Sequence, residues 1–141
     1  MKLAVRYFTR SGNTKKLAEA IASAVGVDAK PVSAPLKEDV DILFLGSSVY
    51  AYGVDDAVKT FINGIQGKVG KVVNFGTAAI IKSTYPQVAK LLEAKNIPLA
   101  AEEFACRGSF ALLHRGKPDE NDCKQAAEFA RRIVWEAAAH E

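Results

Sequence analysis

Leu3, Val5 and Tyr7 alternate with Ala4, Arg6 and Phe8, the pattern of a buried strand, and Leu17, Ile21, Ala24 and Val25 then recur at helical spacing. The stretch Thr9-Arg10-Ser11-Gly12-Asn13-Thr14 therefore falls between a strand's carboxyl end and a helix's amino end. Val25-Gly26 stops that helix, and a short second strand is expected over Val27 to Val32. Ser33 to Asp39, with Pro35 inside it, is a connection too short for a full helix. Asp41-Ile42-Leu43-Phe44-Leu45-Gly46 is apolar at consecutive positions, as in a central strand covered on both faces.

A second helix is expected from Asp55 or Asp56 through Ala57, Val58, Phe61, Ile62 and Ile65, its acids at the positive end of the helix dipole and Gly64 and Gly67 at its close. Lys71 to Gly76 predicts a fourth strand. Pro86 can begin a third helix, which Asn96 and Pro98 end. Leu99 to Cys106 predicts a fifth strand, and Ala126, Ala130, Ile133 and Ala137 form one stripe of a last helix with Asp119 and Asp122 at its start. Five strands mostly alternating with helices imply an α/β fold, an open parallel sheet with helices on both faces. Ligands of such sheets bind beyond the strands' carboxyl ends, so the loops after strands one, three, four and five are the ones to examine.

Composition adds boundaries rather than chemistry. The 141 residues suit one domain, 1–141, and a core that needs no disulfide or metal. At 49% hydrophobic and 25% charged, with net charge +3, the chain has an ordinary globular composition and no basic block of the kind that binds nucleic acid. Arg131-Arg132 shares its helix with Glu128 and Glu136, as on a solvated face. There is no apolar run of membrane-spanning length and nothing resembling a signal peptide, so a cytoplasmic location is expected. Cys106 and Cys123 lack CxxC spacing and clustered histidines and are expected to be buried small hydrophobes, not metal ligands.

The candidate chemistry lies at the carboxyl edge. At Thr9 to Thr14 the first amides of the helix lack intrahelical partners and the dipole is positive, so a phosphate would receive both hydrogen bonds and field. Ser11 or Asn13 acting as a plain helix cap fits the same residues. Strand three leads into Ser47-Ser48-Val49-Tyr50-Ala51-Tyr52-Gly53, and strand four into Gly76-Thr77-Ala78-Ala79 and on to Tyr85. Tyr50 and Tyr52 offer faces for stacking a flat ring, or are amphipathic residues of a surface loop. His114 is the one histidine near this edge, and no Ser-His-Asp or Cys-His constellation accompanies it.

Thr9 to Thr14 resembles the T/S-x-T/S-G-N-T phosphate loop of the flavodoxin family, at the same place after the first strand. Gly46 to Tyr50 is similar to that family's third-strand exit and first flavin loop, Phe75-Gly76-Thr77 to its fourth-strand exit, and Gly116-Lys117-Pro118-Asp119 to Arg131 to its final loop and helix. The resemblance implies a flavodoxin-like three-layer sandwich with strand order 2-1-3-4-5 and a noncovalent FMN. It implies that Thr9, Ser11, Asn13 and Thr14, with amides from Arg10 to Thr14 including Gly12, hold the phosphate. Tyr50 or Tyr52 would flank the isoalloxazine after Ser48 and Val49, with Ala51, Tyr52 and Gly53 near N5, and Gly76, Thr77, Ala78 and Ala79 on the other side. Gly53 would make a peptide rearrangement there cheap, letting a loop carbonyl accept from the reduced ring's N5-H.

The chain departs from the acidic electron carriers of that family. Thr77 to Tyr85 holds no acid and has Lys82, and Arg10, Arg107, His114, Arg115 and Lys117 lie on segments near the edge, opposed by Asp55 and Asp56. A basic rim is therefore expected, one that would raise the potential of an anionic reduced flavin. Arg10 turning inward would add a charge-assisted phosphate contact. The reading that results is an electron-transfer protein working through FMN with redox partner proteins. The alternatives are a small FMN-dependent reductase using NAD(P)H or a quinone and a partner-specific activator. A response-regulator receiver would need acids where the chain has Phe8-Thr9 and Gly46-Ser47.

Overall fold

The computed structural model describes residues 1–10, 12–49, 54–78, 83–107 and 116–139, with the side chains of Val49, Ala78 and Arg107 outside that description. The elements are β1 (Leu3–Tyr7), α1 (Asn13–Val25), β2 (Ala29–Pro31), β3 (Val40–Val49), α2 (Asp56–Asn63), β4 (Val69–Ala78), α3 (Tyr85–Ala94), β5 (Leu99–Arg107) and α4 (Glu120–Ala139). The five strands form one parallel sheet in the order β2-β1-β3-β4-β5, as expected. No described helix is long and apolar enough to cross a membrane.

Strand alternation divides the core in two. On one face Val5, Tyr7, Ile42, Phe44, Val73 and Phe75 pack beneath Leu17 and Ile21 of α1 and Ala126, Ala130 and Ile133 of α4. On the other, Ala4, Leu43, Leu45 and Val72 pack beneath Val58, Phe61 and Ile62 of α2 and Val88 and Leu92 of α3. The small alanines of α4 let that helix lie close against α1. Each large aliphatic side chain buried in these layers contributes about 1.5–3 kcal/mol.

The second strand is shorter than the expected Val27 to Val32, because backbone bonds claim its ends. The amides of Gly26 and Val27 both donate to the Ala22 carbonyl to close α1, at 2.9 and 3.0 Å, and the Ala34 amide turns back to the Pro31 carbonyl. Strands three and four are longer than expected and run on together past their glycines, pairing Ser47 with Gly76, Ser48 with Thr77 and Val49 with Ala78. A Cβ at Gly76 would collide with the Ser47 carbonyl oxygen, so this close strand pair requires glycine there.

Arg6 is a departure of another kind. It faces the α2 side of the sheet between Ala4 and Phe8, yet it is only 5% exposed. Its guanidinium donates from Nε to the Ala34 carbonyl at 3.0 Å, from Nη2 to Pro35 at 3.4 Å and from Nη1 to Val5 at 3.2 Å. The link from β2 to β3 has no helix to satisfy its own carbonyls, and Arg6 supplies the donors from below. Burial pushes the guanidinium pKa down, with Glu38 opposing the shift.

Helix ends follow local chemistry. Asp55 caps α2 by accepting from the Ala57 amide at 2.9 Å, Pro86 sits in the first turn of α3, and Asn96 takes a left-handed φ of 54° beyond its end. Asp119 and Asp122 exchange amide-to-carboxylate bonds, each 2.9 Å, at the start of α4.

Candidate functional site

Among the described residues, those from β1 into α1 form a helix start without a side-chain cap. Gly12 precedes α1 with φ 88° and no side-chain cap bond, and the first turn carries no acid. The expected alternative, capping by Asn13, is not seen, since Asn13 is itself the first helical residue; Ser11 lies outside the described residues. Thr9 instead braces the turn, its Oγ1 accepting from the Gly12 amide at 2.9 Å. The left-handed backbone at Gly12 is one that a side chain would strain, although a Cβ built there would meet open space.

Asn13 and Thr14 are buried at 5% and 0% exposure. Thr14 Oγ1 lies 3.0 Å from Thr77 Oγ1, joining the first loop to the end of β4, and either hydroxyl can donate. Ser48 stands opposite Thr77 in the β3–β4 register. Among the described residues its Oγ is buried without a partner, as is that of Ser47. Such a buried hydroxyl costs about 1–3 kcal/mol unless something else satisfies it. Thus Thr9, Gly12, Asn13, Thr14, Ser48 and Thr77 gather at one edge. Val49, Gly76 and Ala78 share it through their backbones, while Tyr50, Ala51, Tyr52, Gly53 and Ala79 lie outside the described residues.

This donor set fits a phosphate. It combines an uncapped helix end with no first-turn acid, buried hydroxyls and a glycine turn open to a close approach. Of the cations expected to form a basic rim, Arg10 and Lys117 have described side chains, and each meets an acid. Arg10 Nη2 pairs with Asp55 Oδ2 at 2.6 Å, and the Arg10 side chain is 63% exposed. The Ala57 amide and then Arg10 hold the Asp55 carboxyl below its usual range. Lys117 reaches Asp122 at 2.8 Å and Asp119 at 3.2 Å, so it too has acids against it. The rim's described cations are thus paired: Asp55 is the capping residue beside the loop, and the acids that start α4 face Lys117. Lys82, His114, Arg115 and the side chain of Arg107 fall outside the described residues.

Three further features were not anticipated. Asn74, fully buried in β4, donates from Nδ2 to Thr84 Oγ1 at 3.0 Å and toward Glu103 Oε1 at 3.4 Å, fixing the chain after the second loop. The polar residue within Val72-Val73-Asn74-Phe75 was the available signal. The cysteines are half-buried rather than buried. Burial, followed by Asp122, pushes the Cys106 thiol up to about 12, and burial also raises Cys123. Arg132, exposed as expected and paired with Glu136 on its own helix, also bridges Glu102 of β5 at 2.6 Å, above the ring of Phe129.

Known proteins agree with this architecture. The chain is 29% identical over 136 residues to the uncharacterized protein MJ0298 of Methanocaldococcus jannaschii, covering 86% of this chain and 90% of that one. A flavodoxin from the domain Archaea superposes with a TM-score of 0.75 at 18% identity, covering 96% of this chain and 98% of that one. Rubredoxin oxygen:oxidoreductase from Desulfovibrio gigas gives a TM-score of 0.75 at 16% identity over 98% of this chain and 36% of the larger protein. The Flavodoxin domain family model matches residues 4–115, from β1 through the segment after β5. On that match, joined to the sheet order and the phosphate-type loop, the chain belongs to the flavodoxin family, whose cofactor is FMN.

Proposed function

We propose that this protein is an electron-transfer flavodoxin that carries a noncovalent FMN at the carboxyl edge of its sheet. The observation that carries the reading is the start of α1, which no described side chain caps, with the buried Thr14 hydroxyl tied to Thr77 and a Ser48 hydroxyl on the neighbouring strand that has no partner among the described residues. FMN, when bound, supplies reversible one-electron chemistry.

The chain's own residues supply position. Thr9, Asn13 and Thr14, with the amides around Gly12, hold the phosphate, and Ser11 belongs to the same loop. Ser48 and Thr77 close the floor beneath it. The segments 50–53 and 76–79 flank the ring, with Tyr50 or Tyr52 as the stacking residue. The Thr9 to Gly12 bond pre-forms the turn, so less ordering is required when the anion arrives. The partners are redox proteins that exchange electrons at this edge.

Reconstitution with FMN followed by anaerobic reductive titration tests the proposal. Stoichiometric binding and two resolved one-electron steps in the visible spectrum are expected. Failure to bind FMN refutes the reading, and bleaching by NAD(P)H alone makes the protein a reductase instead.

A further inference from the structure

A second recess lies beside the phosphate-type loop on the α2 side of the sheet, with a volume of about 780 Å³. It exists because the link between β2 and β3 has no helix. Residues 32–36 stand there in place of a helix beside β2 and β1, and a trough remains between that segment and α2. Phe8 and Phe61 form apolar walls with Val32 and Pro35, while Thr9, Ser33 and Thr60 add hydroxyls. Arg6 holds the wall in place through the Ala34 and Pro35 carbonyls.

We infer that this trough is a separate binding site for a small, flat, apolar molecule bearing one anionic group. The volume falls within the range of about 300–1,000 Å³ found for small-molecule sites, and the pattern of aromatic walls with a few hydroxyls is theirs as well. The sign of the ligand's charge comes from Lys15, the single charged residue of the lining among the described residues, which include no Asp or Glu there. Lys15 stands 3.8 Å from Glu19, but both side chains are more than half exposed, and an exposed pair at that spacing constrains the ammonium little. The lining holds none of the buried hydroxyls of the FMN cradle. Thr9 is shared, its hydroxyl bracing Gly12 while the residue forms part of the trough wall.

Equilibrium dialysis of the full chain, with and without added FMN, tests this using 8-anilinonaphthalene-1-sulfonate and its uncharged counterpart N-phenyl-1-naphthylamine. One equivalent of the sulfonate should bind whether or not FMN is present. Lys15→Gln should weaken the sulfonate about two- to fivefold and leave the uncharged probe unchanged. Thr60→Trp, which fills the trough from the exposed side of α2, should abolish binding of both while FMN affinity stays the same. Displacement of FMN by the sulfonate would place the probe in the cradle and overturn the inference, as would sulfonate binding that Thr60→Trp does not alter. If the chain takes up no FMN, the FMN reading fails alone, because the probe measurements on the FMN-free protein still stand.

Discussion

Replacing Arg6 by methionine isolates what a buried guanidinium does in an otherwise apolar strand face. Methionine keeps much of the apolar volume and removes the donors to Ala34 and Pro35. A hydrogen bond from a charged group contributes about 1.5–3 kcal/mol. The 3.4 Å contact to Pro35 is the weaker of the two, and that exposed carbonyl can turn to water, so a net loss of about 2 kcal/mol is expected. With an m-value of about 2 kcal/mol per molar urea, the midpoint should fall by about 1 M. The melting temperature should drop by about 4–8 °C. Urea unfolding followed by circular dichroism measures the first, and hydrogen exchange should show faster opening at the amides of Ala34 and Leu36. Lysine separates geometry from charge: it keeps the cation near Glu38 but lacks the fork, leaving a buried ammonium with fewer acceptors. Arg6→Lys should therefore be at least as damaging as Arg6→Met. A methionine variant within about 0.5 kcal/mol of wild type, or rescue by lysine, would refute the reasoning.

Thr14→Val and Thr77→Val should each cost about 1–2 kcal/mol by orphaning the other hydroxyl, and the double variant should cost less than their sum; strict additivity in urea denaturation would deny the bond. Asp55→Ala should remove about 1 kcal/mol at neutral pH through the lost cap of α2. Because the folded-state pKa of Asp55 is lowered, its contribution is present above the ordinary value of about 3.9 and disappears as pH falls through the lower folded value. The wild-type advantage should thus shrink below about pH 4, and a gap unchanged by acid would contradict that sign. Cys106, with its pKa near 12, should resist iodoacetamide in the folded protein at pH 8 and react on unfolding. Rapid native alkylation at that residue, located by peptide mass analysis, would disprove the assignment. Gly12→Ala should lose at least about 1 kcal/mol to left-handed strain, because the conformation rather than the available space forbids it. A calorimetric melt unchanged from wild type would count against that.

The sheet was legible in the sequence because its signals are local. Alternation along residues 3–8, the apolar run 41–46 and the punctuation at Gly26, Pro86 and Asn96 each report a backbone state within a few residues. The phosphate-type loop was legible for the same reason. The contacts that tune the site join residues far apart in the chain. Thr14 meets Thr77, Arg10 meets Asp55, and Arg6 meets Ala34 and Pro35. A list of cations near the edge predicted a basic rim, but it could not show which acids would fold against Arg10 and Lys117. Gly46 and Gly76 read as strand endings in the sequence, whereas in the parallel pair they allow close passage and both strands run on beyond them.

The helix α4 bears on where this fold may be cut. The family match ends at residue 115, before Glu120–Ala139, yet Ala126, Ala130 and Ile133 complete the layer over α1. A fragment trimmed to the matched stretch would keep the proposed cofactor loops and bare the apolar side of Leu17, Ile21, Val73 and Phe75. The segment that carries family identity is therefore smaller than the segment that can hold itself together, and transplanting the flavin loops into another protein would require carrying their distant closing helix along.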